Sequence, residues 1–194
     1  MDNLSFIKNK ISSAIELKQK VLKDDVLLTT LNKVSEEMTN CFKKDGKVLF
    51  CGNGGSAADA QHLSAELSGR FYTDRDPLFS EALHTNTSYL TAVANDYSYD
   101  VVYSRLVKAK GRKGDVLVGI STSGNSKNII QALEEANRIG MITVGMTGAS
   151  GGEIKSCCKY LLNVPSTDTP RIQEVHIILG HILCEMVELN LFKK

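Results

Sequence analysis

The chain has 194 residues, of which 42% are hydrophobic and 23% charged, a composition typical of an ordinary globular domain. Its 23 basic and 22 acidic residues give a formal net charge of +1, and no Lys/Arg cluster stands out, so we expect no nucleic-acid partner. The continuous apolar runs are far shorter than the roughly 20 residues of a membrane span, so we expect no membrane partner. Residues 1–20 form a charged amphipathic stretch without a continuous apolar core, so we expect no signal peptide there.

The five cysteines indicate a reducing compartment. They are an odd number without a C-x-x-C pair: Cys41, Cys51, Cys157, Cys158 and Cys184. This pattern fits neither a disulfide framework nor a zinc ribbon. We therefore predict reduced thiols and a cytoplasmic protein.

Two amphipathic helices are predicted before the first strand. Apolar residues recur at helical spacing over residues 4–22 and again over residues 28–42. Their apolar stripes either close the core of the same chain or pack against another subunit. The second interpretation makes residues 1–45 an oligomerisation unit, with residues 46–194 forming a separate α/β domain.

From Lys47 onward, short apolar runs alternate with Gly/Ser-rich loops and helical patterns. Four runs predict strands at residues 48–51, 116–120, 142–146 and 160–164, and residues 80–83 are a weaker fifth candidate. Continuous apolar strands that alternate with helices indicate a parallel sheet covered on both faces. A last helix is predicted from about residue 171 to residue 191. The fold class is therefore α/β, a three-layer α/β/α domain with an N-terminal helical extension.

Two loops have the composition of phosphate sites. Residues 52–56 (Gly-Asn-Gly-Gly-Ser) precede a helix predicted over residues 57–68, and residues 121–126 (Ser-Thr-Ser-Gly-Asn-Ser) lie between another strand and helix. Ligands of open parallel sheets bind where strand carboxyl ends meet helix N-termini. Glycines and hydroxyls at that point suit a phosphate monoester beside sugar hydroxyls. Either loop alone is equally typical of helix capping, but two on one sheet favour a phosphate site.

The first loop also matches a dinucleotide fingerprint formally. Gly52, Gly54 and Ala57 form the pattern G-x-G-x-x-A. That fold places an acidic residue at a strand end about 20 positions later. Asp74 and Asp76 lie near this distance, but in a stretch that predicts a loop, so the nicotinamide interpretation is the weaker one.

Four residues on two predicted helices could hold a metal ion. His62 and Glu66 are four residues apart and share a helix face. Gln173 and His181 lie on the last helix, about 80° apart around its axis. Two imidazoles with oxygen ligands would favour zinc. The same spacing is common in helices without any ligand, so spacing alone favours the structural interpretation.

Together these motifs resemble the phosphoheptose isomerases, a branch of the sugar isomerase (SIS) domain family. Four segments match in order: residues 51–70, residues 95–96, residues 119–126 and residues 170–176. The resemblance covers essentially the whole chain. It implies a SIS domain over residues 46–194 with a five-stranded parallel sheet, and a homotetramer whose active sites lie between subunits.

The resemblance also implies an activity and a set of site residues. The activity is conversion of sedoheptulose 7-phosphate to D-glycero-D-manno-heptose 7-phosphate through an enediol, the first step of ADP-heptose biosynthesis for lipopolysaccharide or capsule. Glu66 and His181 would be the catalytic pair, with Glu66 removing the C1 proton. One zinc ion per subunit would be held by His62, Glu66, Gln173 and His181. The expected substrate contacts are Asn53, Gly54, Gly55, Ser56, Glu66, Asn95, Asp96, Ser121, Thr122, Ser123, Ser126 and Gln173.

Two points stay open in the sequence. A related SIS protein, the initiator-associating protein DiaA, binds the replication initiator DnaA, so the loops alone allow a non-catalytic binding role. The complete set of His62, Glu66, Gln173 and His181 favours an enzyme. Pro170 stands where some members of the family carry an acidic residue, and whether Asp168 replaces that residue is not decided by the sequence.

Overall fold

The computed structural model describes residues 2–192 and begins with two long helices. They are α1 (Asn3–Leu22) and α2 (Asp25–Lys43). An aspartate precedes each of them and caps its first turn: the side chain of Asp2 accepts the Ser5 N–H, and that of Asp24 accepts the Leu27 N–H. Both predicted N-terminal helices are confirmed.

Five parallel strands form one sheet in the order β2-β1-β3-β4-β5. Their bounds are β1 (Val48–Gly52), β2 (Ser80–Ala82), β3 (Val116–Ile120), β4 (Ile142–Thr147) and β5 (Tyr160–Asn163). Every residue of β1 and β3 is buried, which explains why these strands appear in the sequence as continuous apolar runs. The predicted five-stranded parallel sheet is confirmed, including the weaker candidate at β2.

Five further helices surround the sheet. They are α3 (Gly55–Ser68), α4 (Thr87–Asp96), α5 (Val102–Lys110), α6 (Lys127–Ile139) and α7 (Thr169–Phe192). The helices predicted over residues 57–68 and 171–191 are both present, and each begins two residues earlier. Pro170 lies in the first turn of α7, where a missing N–H is tolerated.

Two apolar clusters cover the two faces of the sheet. Val48 and Phe50 pack with residues of α2, α3 and α7, whereas Leu49 and Cys51 pack with residues of α4, α5 and α6. This alternation follows from the two-residue period of a strand. The three-layer α/β/α architecture is therefore confirmed.

The two N-terminal helices have different surroundings. Leu31, Val34 and Met38 of α2 are buried, and α2 packs against α7 in the layer that covers the sheet. In α1, Leu17 and Val21 near the C-terminal end are buried, whereas five apolar side chains before them are 51–57% exposed: Leu4, Phe6, Ile7, Ile11 and Ile15. The stripe on α2 closes the core, and the stripe on α1 is covered at its C-terminal end and exposed along the rest. A separate oligomerisation unit over residues 1–45 stays a prediction, and of these two helices it is α1 that leaves an apolar face exposed.

Helix α7 is long and apolar enough to cross a membrane by length and composition, with a mean hydropathy of 1.5. Its residues Ile172, Val175, Leu179 and Leu183 belong to the buried cluster between the sheet and its neighbouring helices. A core helix meets the same criterion as a membrane span. Its packing explains the hydropathy of α7.

The cysteines are all free thiols. Cys41, Cys51 and Cys184 are buried, and Cys157 and Cys158 are half-buried. Burial raises the pKa of Cys51 to about 12 and, together with the nearby charge of Asp115, raises the pKa of Cys41 to about 11. Thiols held this way are protonated and weakly reactive at neutral pH.

Candidate active site

The order of the strands places the two predicted loops side by side. From β1 the sheet extends to β2 on one side and to β3 on the other, so the strand order reverses between β1 and β3. Ligands bind at this reversal in open α/β sheets. The loop after β1 meets the start of α6, the helix that follows β3: Asn53 and Asn128 exchange two amide hydrogen bonds of 2.9 Å. The Tyr99 hydroxyl donates to Asn53 Oδ1 at 3.3 Å.

The loop of residues 121–126, here called the hydroxyl loop, folds on itself. Ser121 Oγ lies 3.0 Å from Ser126 Oγ and accepts the Gly124 N–H at 3.2 Å. Gly124 has a φ of +71°, which a residue with a side chain rarely adopts. Ser126 occupies the N-cap position of α6, but within residues 2–192 its side chain makes no capping hydrogen bond. The capping interpretation therefore does not account for this hydroxyl.

A polar hollow of about 270 Å³ opens beside the hydroxyl loop. Thr122 and Ser123 line one side of it, and Ser166, Thr167 and Thr169 line another. The start of α7 thus adds hydroxyl groups to those of the loop. Sequence reasoning missed these three residues, although a hydroxyl-rich run directly before a helix was the same signal that marked residues 121–126.

The structure brings three predicted ligands together. His62 and Glu66 lie one turn apart on α3, with 2.9 Å between His62 Nε2 and Glu66 Oε1. His181 reaches them from α7: its Nε2 lies 3.3 Å from the same carboxylate oxygen and 3.1 Å from His62 Nε2. We call these three residues the acid–base cluster.

The carboxylate of this cluster is enclosed, whereas its imidazoles face solvent. The Glu66 side chain is 14% exposed, compared with 53% for His62 and 39% for His181. Glu66 Oε2 is buried and has no hydrogen-bond partner among residues 2–192. Burial first, and then the nearby Glu66 carboxylate, raises the pKa of the Cys184 thiol. A buried carboxylate oxygen without a partner is costly, so this atom is available to a ligand.

The cluster has the donor set and the compactness that a divalent ion requires. One ligand atom from each of the three residues lies within 4.8 Å of the other two. Two imidazole nitrogens and a carboxylate are the ligands of catalytic zinc sites that keep a position open. The unpartnered Glu66 Oε2 supports the same fit.

Gln173, the fourth predicted ligand, lies over the first loop. A Cβ atom placed on Gly55 would come within 2.5 Å of the Gln173 amide nitrogen. The glycine at position 55 thus allows α7 to approach the start of α3 closely. Gln173 as a metal ligand stays a prediction.

The other predicted site residues lie at or near the ends of helices. Gly54 is the N-cap residue of α3, and Ser56 is buried in its first turn. Asn95 and Asp96 end α4, are exposed and hydrogen-bond to each other at 2.9 Å, and within residues 2–192 no hydrogen bond joins them to the acid–base cluster. Asp168 is exposed directly before α7.

The family model described as the SIS domain matches residues 11–148, more than half of the chain. The chain belongs to the SIS-domain family. Phosphoheptose isomerase 2 of Campylobacter jejuni is 51% identical over 195 residues, which cover 100% of this chain and 97% of the relative.

Solved structures of SIS-domain proteins agree with this assignment. The phosphoheptose isomerase GmhA of Neisseria gonorrhoeae superposes with a TM-score of 0.90 at 45% identity, covering 96% of this chain and 99% of that one. A phosphoheptose isomerase of Francisella tularensis gives 0.92 at 35% identity, covering 96% and 98%. The predicted family and fold class are confirmed.

One ionisable residue of this SIS domain was missed by sequence reasoning. Asp59 lies one turn before His62 on α3, and its Oδ2 is buried without a partner among residues 2–192. Burial raises the pKa of Asp59, and the nearby imidazoles of His62 and His181 oppose that rise. Asp59, His62 and Glu66 are spaced by three and four residues, a one-face pattern that the sequence already contained.

Asp74 and Asp76 lie in the irregular segment between α3 and β2. The acidic strand end that a dinucleotide site needs is therefore not formed by these residues. The predicted loop at this position is confirmed, and the nicotinamide interpretation loses its main support.

Proposed function

We propose that this SIS-domain protein converts sedoheptulose 7-phosphate to D-glycero-D-manno-heptose 7-phosphate. Relatives that are about 50% identical over nearly the full chain are named phosphoheptose isomerases. The chain is a sugar-phosphate isomerase that interconverts an aldose and a ketose. The observation that carries the chemistry is the acid–base cluster of His62, Glu66 and His181, on α3 and α7, two helices whose N-terminal ends meet at the strand-order reversal.

Substrate binding is assigned to the two loops. The phosphate would be held by the hydroxyls of Ser121, Thr122, Ser123 and Ser126 and by N–H groups at the start of α6. The start of α3 would receive the hydroxyl-bearing sugar chain through Asn53, Gly54 and Gly55. The reactive C1–C2 end of the ketose would then face α3 and α7, the helices that carry the acid–base cluster.

Proton transfer is assigned to Glu66 and His181. The free Oε2 of Glu66 takes a proton from C1 of the ketose, which gives an enediol, and the imidazole of His181 delivers a proton to C2. A C–H bond breaks at C1 and another forms at C2, while the hydroxyl proton on O1 passes to O2, so the aldose contains the same atoms as the ketose. Water exclusion around Glu66 and the exposure of His181 suit these two roles.

The cluster is also the proposed zinc site. His62, Glu66 and His181 would hold one ion per subunit, with Gln173 as a fourth ligand. The chemistry that such an ion supplies is polarisation of the ketose carbonyl and stabilisation of negative charge on the substrate oxygens. Glu66 then serves as the base with one oxygen turned toward the imidazoles and the other toward the substrate.

We also propose a cytoplasmic homotetramer with active sites between subunits. The exposed apolar stripe of α1 supports association, because a stripe of this extent is rarely left in water. Arg171, at the start of α7, donates to the Lys10 carbonyl of α1 at 3.2 Å, so α1 is anchored near the site. Light scattering of the purified protein should give four times the chain mass, and a stable monomer would contradict the proposal. Asn95 and Asp96 are the residues for which a subunit boundary at the site would supply a partner.

The direct test of the activity is turnover of sedoheptulose 7-phosphate by the zinc-supplemented protein. We expect heptose 7-phosphate to form, which a downstream ADP-heptose enzyme would consume. Absence of turnover in correctly folded protein would remove the proposal and favour the DnaA-binding alternative. That alternative is not favoured here, because a binding module has no need of a clustered carboxylate and two imidazoles.

A further inference from the structure

Arg75 and Glu188 form a buried ion pair outside the groups that the proposed chemistry uses. Arg75 Nε donates to Glu188 Oε2 at 3.1 Å, and each side chain is only 3% exposed. Taking two charges out of water is costly, so such a pair is weak evidence for stability by itself. Its hydrogen-bond partners indicate a different role.

The guanidinium of Arg75 holds the end of α3. It donates to the backbone carbonyls of Glu66 at 2.8 Å, Leu67 at 2.8 Å and Gly69 at 3.1 Å. The last carbonyls of a helix lack partners within the helix. Arg75 supplies those partners in the turn that carries Glu66, and it binds the carbonyl of Glu66 itself.

The carboxylate of Glu188 binds the backbone of the segment that follows α3. Glu188 follows His181 by seven residues, two turns further along the same face of α7. It accepts the N–H groups of Tyr72 at 3.0 Å, Thr73 at 2.9 Å and Phe71 at 3.3 Å. The Phe71 ring stacks on His181, with centroids 5.9 Å apart and planes tilted by 22°.

These contacts keep Glu188 charged. Burial alone would raise its pKa, but the hydrogen bonds from Thr73, Arg75 and Phe71 outweigh burial and lower it. The charged pair thus joins the end of α3 to α7 through a single segment, residues 71–75.

We propose that Arg75 and Glu188 are positioning residues, which hold α3 and α7 in the register that brings Glu66 to His62 and His181. The proposal rests on the acid–base cluster being the site of the isomerase reaction. Neither residue touches the cluster side chains by a hydrogen bond within residues 2–192. They act through the backbone of Glu66 and through the ring of Phe71.

The test compares this pair with a second ion pair that has no hydrogen bond to α3 or α7 among residues 2–192. Lys47 and Asp115 lie 2.7 Å apart directly before β1 and β3, far from the carboxyl edge, and Asp115 is buried. Since misplacement of about 1 Å costs about 10²-fold in rate, Glu188→Gln should lower kcat about 10²-fold. Its KM should change little, because the hydroxyl loop is untouched. Asp115→Asn should lower the melting temperature and leave kcat near the wild-type value.

A double variant separates the loss of positioning from the loss of activity that misfolding would cause. Replacing a buried pair with apolar residues is often tolerated, whereas removing one partner is not. The double variant Arg75→Met with Glu188→Leu should therefore fold and still show the low kcat. The single variant Arg75→Lys, which keeps a positive charge beside Glu188, should have a kcat between that of the double variant and that of the wild type. Wild-type kcat in Glu188→Gln or in the double variant would overturn the proposal.

Imidazole ¹⁵N spectra separate this proposal from the proposed reaction. Glu188→Gln should shift the ring-nitrogen signals of His62 and His181, and Asp115→Asn should not. Unshifted signals would overturn the positioning role even in a protein that turns over the heptose phosphate. If Glu188→Gln shifts these signals but the wild-type protein does not turn over the heptose phosphate, the positioning role stands and the proposed substrate is rejected.

Discussion

The acid–base cluster and the hydroxyl loop are held in place differently. His62, Glu66 and His181 are carried by two separate helices, and their geometry depends on how α3 packs against α7. The hydroxyl loop is local: Ser121 is held by Ser126 and by the Gly124 N–H, five residues away or fewer. The first half of the site therefore depends on tertiary packing and the second on a turn. Changes in the first should affect the chemical step, and changes in the second should affect binding.

The largest effect is expected for Glu66→Gln. This change keeps the shape of the side chain and removes the base, so kcat should fall about 10²–10⁴-fold, the usual contribution of a positioned general base. Exchange of solvent deuterium into C1 of the substrate should stop. Exchange at the wild-type rate would show that Glu66 is not the base.

A similar but separable effect is expected for His181→Gln. Turnover should fall by about 10²-fold or more because proton delivery to C2 is lost. Some exchange at C1 should persist, since Glu66 remains. If zinc is shared by the cluster, the zinc content per subunit should fall as well, which elemental analysis measures. Loss of C1 exchange with an intact zinc content would assign the first proton transfer to His181 instead.

The hydroxyl loop should respond in KM. Ser121→Ala combined with Ser123→Ala removes two hydroxyls and leaves the acid–base cluster unchanged. Lost uniform binding raises KM while kcat is largely retained. A double variant with the wild-type KM would show that these two hydroxyls only stabilise the loop. Substrate binding would then have to be assigned to other residues.

The smallest effect on turnover is expected at His176, a buried residue of α7. Its Nε2 donates to the Thr147 carbonyl at 3.1 Å, and burial lowers its pKa to about 4. Because the folded pKa lies below the unfolded value of about 6.5, this residue's contribution to stability is complete above that pH and is lost as the pH falls toward 4. At about 1.4 kcal/mol per pKa unit, the shift from about 6.5 to about 4 lowers the free energy of unfolding by about 3 kcal/mol at low pH.

His176→Gln tests this pH dependence, because the amide can still donate to Thr147 and does not titrate. Urea unfolding between pH 6.5 and pH 4 should show a shallower decline in the variant than in the wild type. Equal pH dependence in the variant and the wild type would indicate that His176 binds a proton as readily in the folded state as in the unfolded state. Turnover at pH 7.5 should be unaffected.

The sequence predicted the parts of this fold that are encoded locally. The buried strands were predictable because they are covered on both faces and so are continuously apolar. The two N-terminal helices could not be distinguished, since both have an amphipathic pattern and only tertiary packing decides that the stripe of α2 is buried and most of the stripe of α1 is exposed. His62 and Glu66 were predictable as a pair by their spacing. Arg75 and Glu188 were not, because the two residues are far apart in the chain and belong to no motif.

The amide pair between Asn53 and Asn128 has a consequence for how this protein can evolve. Each side chain uses its oxygen and its nitrogen on the other, so an Asp at either position places two acceptor oxygens face to face. The two positions are therefore energetically coupled: the stability that is lost by a change at one depends on the residue at the other. Because the pair also ties the loop after β1 to the start of α6, a mismatch at either position would loosen both segments together.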